Sequence, residues 1–193
     1  MQNNYEYQNS MIDMVILMTM LSSTIGATIG ELLTPLQQNN IYDVGFILVD
    51  KLPKRFFQND MIILLNSVLL LLCIGYVISE AFFYGATTLV RHVVGLYLLR
   101  FVVGFMTRLP VPPGAYQSPT DIPPKGSNFF FLFSAHTATI TTVGLHVCEY
   151  WGWHLSPIFA IIILLQSMRL LSTRGHYSAD IILAISLSVF LYI

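Results

Sequence analysis

The sequence predicts an all-α, polytopic membrane protein, with six transmembrane helices packed as one compact bundle over residues 1–193. Three observations predict it. Apolar residues make up 55% of the chain and charged residues only 10%, against about 25% charged in a soluble domain. Six stretches approach the roughly 20 apolar residues that a helix needs to cross the hydrocarbon core. The segments between them are short and leave no room for a soluble domain. The same composition excludes other classes. Nine Lys+Arg against ten Asp+Glu offer no basic field for nucleic acid, and the apolar fraction excludes disorder. Cys73 and Cys148 lie inside apolar runs, so neither a disulfide framework nor a cysteine metal site is expected.

The first span, Met11–Leu33, is the least apolar, holding Asp13 and Glu31. No basic segment precedes it and no Ala-x-Ala-like cleavage site follows, so it reads as a span and not as a signal peptide. Its Gly26-x3-Gly30 pattern would allow close helix approach. The second span is Met61–Tyr84, with Glu80 reaching the interface near its end, and the third is Leu89–Met106. A loop over 107–128 follows, holding six of the nine prolines, and such a segment stays extended and stiff. The fourth span is Phe129–Cys148. Tyr150, Trp151 and Trp153 in the next turn suit an aromatic belt at the membrane surface. The fifth span is His154–Leu171. The sixth, Tyr177–Ile193, ends without a polar tail, as a fragment of a longer chain would.

Six antiparallel spans put alternate connections on one face. The Thr34–Asp60 connection, the proline-rich loop and the Ser172–His176 turn share face A; the termini and the other turns share face B. Lys51, Lys54, Arg55, Arg108, Lys125 and Arg174 all belong to face A, against Arg91 on face B. The positive-inside rule would place face A in the cytoplasm. An anionic substrate bound there would collect the same cations.

Ionisable groups inside spans are expensive and need a partner or a function. His136 lies about two turns into the fourth span, and His176 opens the sixth with Asp180 four residues on. That spacing puts the carboxylate and the imidazole on one helix face. An Asp bonded to one ring nitrogen leaves the other the more basic and nucleophilic. Both histidines lie toward face A, with Arg100 inside the third span and Arg108 at its face A end. Phosphoryl transfer needs these groups: guanidiniums to hold the charge, a neutral imidazole to attack phosphorus, and a second, protonated imidazole for the departing oxygen. No cofactor and no metal are expected, because a zinc site would want three or four clustered ligands. Each piece also has a plainer reading as a satisfied polar pair or an interfacial histidine; the convergence on one face favours chemistry.

These residues resemble the sphingomyelin synthases, within the wider lipid phosphatase and phosphotransferase superfamily. Ser134-Ala135-His136-Thr137 stands where that family carries Ser-Gly-His-Thr. His176-Tyr177-Ser178-Ala179-Asp180 stands for His-Tyr-Thr-x-Asp. Tyr97-x2-Arg100 and Leu109-Pro110-Val111-Pro112 match a further stretch, and Leu52-Pro53 followed by Phe56-Phe57 is similar to the first connection. The resemblance implies transfer of phosphocholine, or a related head group, from a glycerophospholipid donor to ceramide or another lipid alcohol, releasing diacylglycerol. His176 would be the nucleophile, Asp180 its activator and His136 the acid and base, with Tyr97, Arg100, Arg108 and Ser134 binding substrate. It also implies a Golgi or plasma-membrane location if the chain is eukaryotic, and a lumenal or exoplasmic active site; with no cytosolic helical domain ahead of the first span, a minimal version of the family is expected. The oligomeric state stays open, a homo-oligomer included. Three positions depart from the family: Asn128-Phe129-Phe130 replaces Cys-Gly-Asp, Pro53-Lys54 replaces Pro-Asp, and Ile185-Ser186 replaces a pair of aromatics.

Two rival functions use the same residues differently. A lipid phosphate phosphatase or phospholipase C-type hydrolase would let water resolve the phosphohistidine, and its pattern wants an Arg six residues before the nucleophile. That position is Leu170, with Arg169 one residue earlier. The second alternative is a non-catalytic membrane protein or a transporter; a transporter would spread its charges along a path near the midplane, whereas here they gather toward one face.

Overall fold

The computed structural model describes residues 43–52, 57–85, 87–112, 114–116 and 129–192; the expected first span lies outside them. Within them the chain is helical apart from one short ladder. A six-residue helix, α1 (Val44–Val49), is capped by Asp43, whose Oδ1 accepts the Phe46 N–H at 3.3 Å. Helix α2 (Asp60–Ser79) starts at Asn59, whose side chain accepts the Met61 N–H at 2.9 Å, and runs on through one π-helical turn, Glu80–Tyr84. Helix α3 covers Thr87–Met106. Strands β1 (Arg108–Pro110) and β2 (Phe129–Phe131) pair antiparallel, with Arg108 opposite Phe131. The two ends of the proline-rich connection are thereby joined. Helix α4 is Ala135–Trp151, α5 is Ser156–Ser172 after a 3₁₀ turn at Trp153–Leu155, and α6 is Ser178–Tyr192.

Helices α2 to α6 fall on the second to sixth expected spans. By length and apolar composition, two helical stretches among the described residues, Asp60–Phe83 and Trp153–Ser172, could cross a bilayer. Two boundaries need correction. The fourth helix begins at Ala135 and not at Phe129, because the Phe129–Phe131 backbone is committed to β1. His136 therefore lies in the first turn of α4 and not two turns in. The sixth helix begins at Ser178, so His176 stands just outside it.

The helices alternate in direction about two ends. At one end the Gln58 side chain donates to the Ser172 carbonyl (3.2 Å), the Tyr116 N–H to the Thr173 carbonyl (2.8 Å) and the Ser134 N–H to the Asp180 carbonyl (3.4 Å). Tyr116 also donates its hydroxyl to Asp60 at 3.1 Å. That bond holds the phenol above its ordinary pKa, since ionisation would forfeit the donor. At the other end Tyr192 donates to Glu149, and Tyr76 pairs with His146 at 3.1 Å. Tyr150, Trp151 and Trp153 are exposed there.

An apolar core joins Cys73 and Val77 of α2, Leu89, Val90 and Val93 of α3, and Ile140 and Val143 of α4. Helices α4 and α5 touch closely at Gly144, where a Cβ would stand 2.7 Å from Phe159 Cδ1. The outer faces are the more apolar. Leu65, Leu72, Ile161, Leu164, Ile182 and Phe190 are all more than half exposed, while Asn66, Thr137, Thr142, Gln166 and Asp180 are buried. Water as solvent would favour the reverse.

Candidate active site

The turn between α5 and α6 carries His176. Its Nδ1 donates to Asp180 Oδ2 at 3.1 Å, and the same oxygen accepts the Tyr177 N–H at 3.1 Å. Asp180 is the third residue of α6, so its bond to the Tyr177 N–H is the back-bonding half of a capping box. The helix N-terminus favours a negative charge there, and the carboxylate has no solvent exposure. With a proton on Nδ1, the lone pair of a neutral ring sits on Nε2. The i,i+4 spacing thus joins a loop residue to the first helical turn; the two do not share a helix face as the spacing alone suggests.

Ser134 is the N-cap of α4. Its Oγ accepts the Thr137 N–H at 3.3 Å and pairs with Thr137 Oγ1 at 2.9 Å, so this buried hydroxyl holds the helix start. The bond from the Ser134 N–H to the Asp180 carbonyl then ties the first turn of α4 to that of α6. His136 and His176 are consequently at the same end of the molecule, on adjoining helix starts, and both are half-buried.

Known contacts set the level of the remaining candidates, given a rise of about 1.5 Å per residue along each helix. Tyr97 shares a hydrogen bond with Thr139 at 3.3 Å. Helices α3 and α4 run antiparallel, so moving three residues along each from that bond reaches Arg100 and His136. Arg108 opens β1, beyond the end of α3. From the Gly144–Phe159 contact, ten residues along antiparallel α4 and α5 reach Ser134 and Arg169. Arg169, only 2% exposed, thus sits at the level of the Ser134–Asp180 junction.

Asp43 escaped the sequence reading. Besides capping α1, it accepts the Ser178 N–H and the Ser178 hydroxyl, both at 2.8 Å, and so caps α6 as well. Gly45 permits this approach: a Cβ there would be 3.0 Å from Asp43 Oδ1, Leu171 Cδ2 and Ser178 Cβ alike. Arg174 completes the clamp from the turn itself. It pairs with Asp50 at 3.0 Å and covers the Phe46 ring at 4.8 Å, while Phe46 packs on Tyr177 at 5.5 Å. Arg174 adopts φ 51°, a left-handed conformation costly for a non-glycine residue; such strain persists where neighbours over-determine the backbone. An aspartate in a connection gives no local signal for a partner 135 residues away.

The class is therefore a helical protein with bilayer-length apolar segments, a carboxylate-held imidazole and a second imidazole at the same end. Residues 42–193 match the family described as AtPDCT1/2, and the chain belongs to that family. It is 27% identical over 152 residues to phosphatidylcholine:diacylglycerol cholinephosphotransferase 1 of Arabidopsis thaliana, covering 77% of this chain and 50% of that protein. To phosphatidylcholine:diacylglycerol cholinephosphotransferase 2 of the same organism it is 33% identical over 94 residues, covering 49% of this chain and 32% of that protein. The chain spans half the length, or less, of these curated relatives. No solved structure gives a significant match. The comparisons thus show a related lipid phosphotransferase family, not the sphingomyelin synthases that the motifs resemble.

Proposed function

We propose that this chain is an integral membrane phosphotransferase that moves phosphocholine from a glycerophospholipid to a lipid alcohol through a phosphohistidine on His176. The relatives' names favour diacylglycerol as the acceptor, in place of the ceramide that the motif resemblance implies. The observation that carries the reading is the 3.1 Å bond from His176 Nδ1 to buried Asp180, on a helix start bonded to the one bearing His136. Asp180 fixes the proton on Nδ1, so Nε2 attacks phosphorus and the bond from phosphorus to the glycerol oxygen breaks. His136, protonated, gives its proton to that oxygen and diacylglycerol leaves. In the return step His136 takes the proton of an incoming lipid hydroxyl, whose oxygen attacks phosphorus and releases His176. Arg100 and Arg169 are the cations for the phosphoryl oxygens. The apolar outer faces, with Asn66, Thr137, Thr142, Gln166 and Asp180 buried, suit a bilayer.

The test is a purified sample with phosphatidylcholine labelled in its head group and diacylglycerol of distinct chain length. Label in a phosphatidylcholine bearing the acceptor's chains is the expected result. Label in sphingomyelin on adding ceramide would move the acceptor assignment. Free phosphocholine or phosphate without any acceptor would mark a hydrolase and overturn the transferase reading.

A further inference from the structure

Two buried amides at the level of His136 belong to neither the capping network nor the proton chemistry. Asn66 of α2 is 8% exposed and Gln166 of α5 is 4% exposed. Asn66 Nδ2 and Gln166 Nε2 have no hydrogen-bond partner among the described residues. Both levels follow from contacts already described. Helices α2 and α4 run parallel, and counting ten residues back along each from the Tyr76–His146 bond reaches Asn66 and His136. Seven residues along antiparallel α4 and α5 from the Gly144–Phe159 contact reach Thr137 and Gln166. Two helices that both pack on α4 thus each carry a buried carboxamide whose level along the bundle lies within about one helical turn of that of His136. Thr141 and Thr142, about a turn deeper in α4, have buried hydroxyls that also lack partners among the described residues.

Buried donors in native structures are almost always paired, so such a layer calls for an acceptor. The chemistry of a phospholipid narrows the choice. Its phosphoryl oxygens are anionic and have guanidiniums at Arg100 and Arg169. Its quaternary ammonium offers no acceptor, and its acyl chains offer none below the esters. The ester carbonyls are neutral acceptors next to the glycerol oxygen, and a neutral carboxamide suits them without placing a further charge in an apolar interior.

We infer that Asn66 and Gln166 form a carbonyl-binding subsite, donating hydrogen bonds to the ester carbonyls of the diacylglycerol moiety as donor and acceptor lipids pass through the site. This rests on the transferase reading and adds a source of selectivity to it: lipid alcohols with an ester beside the reacting hydroxyl are preferred over those without.

The experiment compares acceptors of equal chain length, a diester (diacylglycerol) and a diether (dialkylglycerol), with phosphatidylcholine as donor. The wild type is expected to favour the diester in kcat/KM by roughly five- to tenfold per hydrogen bond lost. Asn66→Leu and Gln166→Met, which keep volume and remove donors, are expected each to lower the diester-to-diether ratio by about that factor. A ratio unchanged in both variants means that buried water satisfies the amides, and overturns the inference while leaving the transferase reading intact. A wild type indifferent to ester and ether overturns it without any variant, so a variant that fails to fold does not protect it. If the wild type transfers to neither acceptor, the diacylglycerol assignment fails and the subsite falls with it, while transfer to ceramide would keep the transferase reading.

Discussion

Replacing Asp180 by Asn is the sharpest probe of the proposed chemistry. Asn is isosteric, and its carbonyl oxygen can occupy the place of Oδ2 and keep both 3.1 Å bonds, to His176 Nδ1 and to the Tyr177 N–H. What disappears is the negative charge. Attack by Nε2 turns a neutral ring into a cation, and Asp180 opposes that cation across a few ångström. Two unit charges about 4 Å apart at an effective dielectric of about 20 attract by ~4 kcal/mol. Since each 1.36 kcal/mol is tenfold in rate, transfer should fall by about three orders of magnitude. The Asn amide group would replace Oδ1, a buried atom with no hydrogen-bond partner among the described residues, at a cost of about 1–3 kcal/mol in stability. The assay is head-group transfer between phosphatidylcholine and diacylglycerol in detergent, beside thermal unfolding of the same sample. A folded Asp180→Asn protein within threefold of wild-type turnover would refute the activation of His176 by this carboxylate.

His136→Ala should lower transfer by about 10²–10⁴-fold in the same assay while leaving the unfolding temperature nearly unchanged, because it removes proton transfer in both half-reactions. Asp43→Ala should destabilise by about 2–4 kcal/mol, from a lost cap on α1 and two lost bonds to Ser178. Unfolding of Asp43→Ala, Ser178→Ala and the double variant should show a double cost well below the sum; strict additivity would mean that the clamp is not a unit. Gly144→Ala should destabilise by about 1–3 kcal/mol, since its Cβ would sit 2.7 Å from the Phe159 ring. Adding Phe159→Leu should recover part of the loss in the same melt.

How much of this was legible in the chain depends on the distance over which each feature is decided. The runs behind α2 to α6 are local. Apolar residues in near-unbroken stretches, punctuated by Gly85, Gly152 and the prolines of the 107–128 loop, specify helices and their alternation wherever they pack. From alternation alone it follows that His136, His176 and Asp180 share an end, and the Ser134–Asp180 bond shows those helix starts in contact. Boundaries were less legible. Phe129–Phe131 is as apolar as any span, and only the presence of β1 across a long loop makes it a strand. The clamp by Asp43, the enclosure of Arg169 and the common level of Asn66 and Gln166 were decided by packing alone. Hydrophobic periodicity is a property of neighbouring residues. Which polar side chain meets which depends on the relative height and rotation of whole helices, set by contacts such as Gly144 against Phe159, and no short stretch of sequence carries that information.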